Sequence, residues 1–169
     1  MDSTTTGIEI KLFTNEESLW DRYAHNSPEA SLYHLIGWKR VIERTFGHTT
    51  YYLYALQNDH IVGLAPFVFL KSFVFGKFIV SLPFLNYGGI AANSEEIRKL
   101  LLEKAIRIAQ QEGAAHIELR HLENYGLGLE PANKLLPNGV RISLTASAFG
   151  CGAIKPDFRN RTVLREQFV

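Results

Sequence analysis

Between Ile61 and Phe84 the chain is apolar at nearly every position, in the run IVGLAPFVFLKSFVFGKFIVSLPF. A stretch of that length reaches the thickness of a bilayer. Lys71 and Lys77 interrupt it, and Gly63, Pro66, Gly76 and Pro83 punctuate it, so it reads as two strands and not as a membrane helix. The first, Ile61 to Phe69, leads through a turn near Phe75-Gly76-Lys77 to a second over Phe78 to Leu82, where Pro83 ends regular pairing. Because the first strand is apolar without alternation, it is expected to be buried on both faces.

The flanking segments supply what would bury it. Thr49 to Leu56, rich in Tyr and Thr, reads as an antiparallel partner joined by the turn residues Asn58-Asp59. Ile8 to Leu12 alternates apolar with charged and reads as a half-buried strand. Thr14 stands three residues before Glu17, a capping-box spacing that predicts a helix through about His25, closed by Pro28. Ser31 to His34 reads as a short extended piece. A second helix is expected from about Ile36 to Thr45, with Trp38, Val41, Ile42 and Phe46 facing the core and Gly47 ending it. Downstream, Asn93 and Glu96 repeat the capping-box spacing, and Ile97, Leu100, Leu101, Ala105 and Ile108 form one apolar stripe that Gly113 caps. His116 to Arg120 alternates again, and Val140 to Leu144 can form one more strand. The order β-α-α-β-β-β-α-β predicts an α+β fold: a mixed, mainly antiparallel sheet with helices on its faces, not a doubly wound one.

A chain of 169 residues fits one domain with a real core. Residues 1–122 are expected to form that unit, and 123–169, with three glycines and two prolines from Glu123 to Gly139, a weakly patterned extension. A net charge of +1 gives no global field for nucleic acid, and no DNA partner is expected. The single Cys151 excludes an internal disulfide and a Cys-rich zinc site. Met1 to Thr6 lacks the basic start and apolar core of a signal peptide, which sets the expectation of a cytoplasmic protein without a membrane span.

The first candidate for a functional site is Asn86 to Ala92, where strands give way to helix. Gly88-Gly89 among small residues there can let backbone N–H groups approach an anion at a helix N-terminus, or can serve only a tight turn. His34 and His48 flank the second helix; each can transfer a proton if it faces a cleft, or can be a packed, capping or helix-end residue. Fourteen residues apart with no third ligand, they give a metal site little support. Lys71 ends a buried strand, where it can meet a substrate phosphate or carboxylate or simply be solvated. Glu118 and Arg120 share a strand face, which favours an internal salt bridge and leaves anion binding by Arg120 as the other role.

Three ungapped blocks, Leu32 to His48, Ile61-Val62-Gly63 through Lys71 to Gly76, and Ser81 to Ala92, resemble the FemAB-type acyltransferases, especially the subgroup associated with bacterial exosortase and exopolysaccharide systems. The resemblance spans about Ser18 to His121, with a patchier match to Lys155 to Arg161. It implies a Gcn5-related N-acetyltransferase (GNAT)-like fold, and because such proteins have two GNAT-like halves, it implies that this chain supplies the first, with the sheet incomplete and the chain truncated. It also implies transfer of an acyl or aminoacyl group to an amine or hydroxyl of a cell-envelope or exopolysaccharide precursor, a glycan, peptide or other small molecule. The donor would be acyl-coenzyme A or an aminoacyl-tRNA, with no tightly bound cofactor and no metal. Asn86-Tyr87-Gly88-Gly89 would stand in the place of the coenzyme A pyrophosphate loop, without the usual leading Arg or Gln, and Lys71 and Arg120 would be further substrate contacts. The alternative is a noncatalytic module that binds substrate or partner and needs a complementing second half, or a homodimer, to cover its apolar sheet.

Overall fold

The computed structural model describes residues 7–73, 76–85, 87–121, 131–136 and 139–145. Phe75, Asn86, Cys151 and the segment 155–161 lie outside the described residues. In chain order the elements are β1 (Ile8–Leu12), α1 (Glu17–Asn26), a 3₁₀ turn (Leu32–His34), α2 (Gly37–Val41) continuing as a π-helical turn (Ile42–Phe46), β2 (Thr49–Gln57), β3 (His60–Ser72), β4 (Gly76–Val80), β5 (Ala91–Ala92), α3 (Glu95–Glu112), β6 (His116–His121), β7 (Pro131–Leu136) and β8 (Gly139–Thr145). One sheet joins the strands in the order β1-β2-β3-β4-β6-β8-β7, with β5 paired to β3. All of these pairings are antiparallel except β4 with β6. Strand β8, beyond residue 122, thus adds to the same sheet through β6. The mixed, mainly antiparallel α+β architecture read from the sequence is the one observed.

Strand alternation sorts the β2 and β3 side chains into two cores. On one face Leu53, Ala55, Ala65, Phe67 and Phe69 pack with Ile97, Leu101, Ala105 and Ile108 of α3. On the other, Tyr52, Tyr54, Leu64 and Val68 pack with Trp20 and Ala24 of α1 and with Ile36 and Ile42 near α2. Gly63 to Phe69 is buried throughout, as an unbroken apolar run requires. The run from Ile61 to Phe84 therefore enters a hairpin, and among the described residues no helix is long and apolar enough to cross a membrane.

Local details differ from expectation in ways that side-chain chemistry explains. Helix α1 has Glu16 at its N-cap without a side-chain cap bond, while Thr14 donates its hydroxyl to Glu16. Helix α3 is capped by Ser94, which accepts from the Ile97 N–H; Asn93 instead accepts from the Tyr23 hydroxyl at 2.9 Å. Ser31 to His34 is not extended but a capped 3₁₀ turn, because the His34 ring reaches back to the Ser31 backbone. The π-helical turn breaks the 3.6-residue period of the second helix, so Ile42 is buried while Val41 and Phe46 are exposed. Strands β5 and β7 had no sequence expectation: β5 has two residues, and β7 includes a proline and polar residues.

The feature that positions the candidate site is a gap in the β3 ladder. Strand β4 pairs with β3 as far as Val68↔Val80, and pairing resumes at Leu64↔Ala91. Three residues of β3, 65 to 67, therefore face ten residues of chain, 81 to 90. Pro66, which has no N–H to offer, sits inside this gap. Segment 81–90 leaves the ladder as a strap and returns.

One core residue is imperfectly satisfied. The Tyr52 hydroxyl is buried and has no hydrogen-bond partner among the described residues, and burial pushes its pKa up. Removing an unpaired buried hydroxyl is neutral or favourable. Tyr52→Phe is expected to leave the urea-unfolding free energy unchanged or raise it by up to about 1 kcal/mol; a loss larger than that would show that the hydroxyl is bonded.

Candidate functional site

Strand β6 runs alongside the strap and fastens it. The parallel β4–β6 pairing ends at Val80↔Glu118, and one residue further the Ser81 N–H donates to the Glu118 carbonyl at 2.9 Å. Arg120 then contacts the strap at several points. Its backbone N–H donates to Ser81 Oγ at 2.8 Å, and its carbonyl accepts from the Gly88 N–H at 3.0 Å. Its guanidinium donates from Nη1 to the carbonyls of Pro83 at 2.6 Å and Leu85 at 3.0 Å, while Nε pairs with Glu118 Oε1 at 2.7 Å. A guanidinium has five N–H donors in a fixed fork, which suits it to hold carbonyls and a carboxylate together. The internal salt bridge read from the shared strand face is present, with a strap-holding role that alternation alone does not disclose.

From the opposite side the strap is held by His34. Its Nε2 lies 3.0 Å from the Gly89 carbonyl, and its Nδ1 lies 3.1 Å from the Ser31 backbone nitrogen. A backbone N–H only donates, so Nδ1 is the acceptor and Nε2–H donates to Gly89. Burial holds the His34 pKa below the ordinary value, against the opposing effect of its bonds to Gly89 and Ser31. The His34 carbonyl accepts from Trp20 Nε1 at 2.6 Å, which ties the turn to α1. In this arrangement the neutral ring has no lone pair left to take a proton from a substrate.

The structure thus brings together His34, Tyr87, Gly88, Gly89 and Arg120. Tyr87 packs near Tyr33, with ring centroids 6.2 Å apart. Asn86 is outside the described residues. Neither Gly88 nor Gly89 has positive φ; at Gly88 the need is close approach, because a Cβ there would stand 2.4 Å from Leu82 Cδ1 and 2.9 Å from Leu82 Cβ. Leu82 itself has φ 52°, an uncommon conformation for a bulky residue. The glycine pair does not open a helix: β5 intervenes, and the N-terminus of α3 carries Glu95 and Glu96, so carboxylates already occupy the region where the dipole favours negative charge. Lys71 is apart from this cluster, exposed near the end of β3 with Nζ 5.0 Å from the Phe69 ring centroid. Among the described residues His48 meets the strap by stacking on Phe84, at 5.7 Å. Among the described residues no group of three His, Cys, Asp or Glu is placed to hold a metal ion. Ser81 and Ser31 were missed from sequence; the Ser31-x-x-His34 spacing was the available signal for the second, since a histidine can serve as the reciprocal partner of a capping serine.

No protein-family model matches the chain, and no curated protein matches it. Solved structures do match. The N-acetyltransferase PaiA from Thermoplasma acidophilum, in complex with coenzyme A, superposes with a TM-score of 0.55 at 12% identity, over 82% of this chain and 98% of that one. The chain has a GNAT-like fold. A GNAT-family acetyltransferase from Brucella melitensis, in complex with acetyl-CoA, gives 0.53 at 14% identity, over 89% and 92% of the two chains. FemX gives 0.50 at 19% identity, and there the match covers 69% of this chain but 28% of the other. At these identities the likeness is one of fold.

Two outcomes follow from the strap geometry. Arg120→Met should cost about 2–3 kcal/mol, since it leaves Glu118 and two carbonyls without their charged donor, and should speed hydrogen exchange at Gly88; unchanged exchange would show that the guanidinium does not hold the strap. The second concerns pH. An unfolded histidine protonates near pH 6.5, whereas folded His34 does so only at lower pH. Its contribution is therefore intact above about pH 6.5 and is lost as pH falls, by up to about 1.4 kcal/mol per pH unit. His34→Gln should flatten that slope in urea titrations, leaving the part due to His116, also shifted down by burial; an unaltered slope would contradict the buried neutral ring.

Proposed function

We propose that the chain is an acyltransferase of the FemAB type, moving an acyl or aminoacyl group to an amine or hydroxyl of a cell-envelope or exopolysaccharide precursor in the cytoplasm. The observation that carries this reading is the fold: the sheet and helices match those of acetyltransferases solved with coenzyme A or acetyl-CoA over most of both chains. Acyl-coenzyme A is the donor this favours, and aminoacyl-tRNA is the donor that the FemX likeness keeps in view. In the reaction the acceptor's nitrogen or oxygen attacks the donor carbonyl carbon, the thioester or ester bond breaks, and the acceptor gives up a proton. A protein accelerates such a step by positioning the reactants and polarising the carbonyl with backbone donors.

On this reading Asn86, Tyr87, Gly88 and Gly89 meet an anionic part of the donor, with Arg120 and Lys71 as further contacts. Gly88 can offer its N–H only after releasing the Arg120 carbonyl, so donor binding requires the strap to shift. His34 then serves to hold the strap, and His48 is the remaining candidate base. A second reading, a noncatalytic module completed by another GNAT-like half or a second copy, is favoured by the same closed hydrogen bonds and by the short share of FemX that the chain spans.

The test is a thermal-shift titration of the purified chain with acetyl-coenzyme A, a charged tRNA and a nucleotide-sugar precursor. A donor at about 100 times its Kd adds roughly 2.7 kcal/mol and raises Tm. No shift with any of the three would overturn the enzyme reading of this chain, and dimerisation at micromolar concentration in sedimentation would then support the module.

A further inference from the structure

The hairpin that joins β3 to β4 ends in an unusual combination. Phe73, at its tip, is fully exposed, with a relative accessibility of 107%. Directly behind it Lys71 and Lys77 are cross-strand partners, both exposed. Neither lysine pairs with a carboxylate among the described residues: Lys71 lies over the Phe69 ring, and Lys77 donates to the Glu112 backbone carbonyl. The Glu112 carboxylate is turned to the Tyr51 hydroxyl, which it accepts at 2.5 Å. Like charges placed opposite each other on a ladder are unfavourable without an external anion.

Register places a second exposed aromatic group at the same end of the sheet. His48 precedes Thr49, which pairs with Phe69, so it stands near the level of Leu70 and Lys71. Stacked with it are Phe46 and Phe84, 4.0 Å apart and 46% and 45% exposed.

We infer that this end of the sheet docks on an anionic membrane surface, with Phe73 entering the headgroup region and Lys71 and Lys77 meeting lipid phosphates. Two features favour lipid over a protein partner. Protein interfaces are depleted in lysine at their centres, whereas an aromatic tip backed by lysines matches the gradient from acyl chain to headgroup. Phe73 also stands fully exposed just beyond a strand end, where a headgroup layer can receive it. Peripheral binding of this kind needs no membrane-crossing helix. It shares Lys71 with the acyl-transfer reading but none of the strap's hydrogen bonds, and vesicle binding in the absence of any acyl donor tests it separately.

The test is co-sedimentation of the full chain with vesicles of phosphatidylcholine alone and of phosphatidylcholine with phosphatidylglycerol. Binding is expected only to the anionic vesicles and should weaken with salt. The double variant Lys71→Glu/Lys77→Glu should lose roughly tenfold or more in affinity for the anionic vesicles, and Phe73→Ser should reduce binding to them at every salt concentration. Circular dichroism of both variants should match that of the parent, because the altered side chains are exposed. Failure of the parent chain to bind anionic vesicles would overturn the inference, as would variants that bind equally well. So would a parent dimer that Phe73→Ser converts to monomer, because that result assigns the tip to a second copy of the chain.

Discussion

Ten residues of chain set against three residues of β3 create the constraint on which the rest of this structure depends. A strand that leaves a buried ladder must satisfy its backbone polar groups elsewhere, at a cost of about 1–3 kcal/mol for each one left unpaired. Here the solution comes from the two sides of the gap. Strand β6 contributes Arg120, whose backbone and guanidinium hold Ser81, Pro83, Leu85 and Gly88. The 3₁₀ turn before α2 contributes His34, which holds Gly89. Leu82 and Leu85 join the core beneath α1 and α2, so the strap is a packed part of the interior as well as a hydrogen-bonded one.

This arrangement separates two questions that fold similarity runs together. The overall fold agrees with that of acetyltransferases whose structures hold coenzyme A or acetyl-CoA. The groups that chemistry would recruit, a glycine-pair amide and a buried histidine, are occupied by internal bonds. An acyl donor that used them would have to compete with Arg120 and Ser31. On the proposed reading, a low barrier to strap movement lets the site form on donor binding, and a high one favours the noncatalytic module.

The order of elements was legible because period and punctuation are local. The unbroken apolar run at β3, the turn residues Asn58-Asp59, which take positive φ, and the left-handed Gly47 and Gly113 all register in a few neighbouring residues. Exact caps were less so: Ser94 competes with its neighbour Asn93, and only the tertiary bond from Tyr23 decides which one caps α3. The second helix misled because a π-helical turn moves Val41 and Phe46 off the face that a regular period assigns them. In the candidate site, residue types pointed to His34, Gly88, Gly89 and Arg120, and alternation placed Arg120 beside Glu118. Their mutual bonds span from 32 to 55 positions in sequence, a separation at which pattern carries no information.

His34 is a neutral, fully bonded strut for the strap. Nitrogen NMR of its imidazole measures that directly. A protonated Nε2, an unprotonated Nδ1 and a titration midpoint below about pH 6.5, where a free histidine is half-charged, are expected. An Nδ1–H tautomer, or ordinary titration at that pH, would mean that Gly89 is not held and that the strap is open.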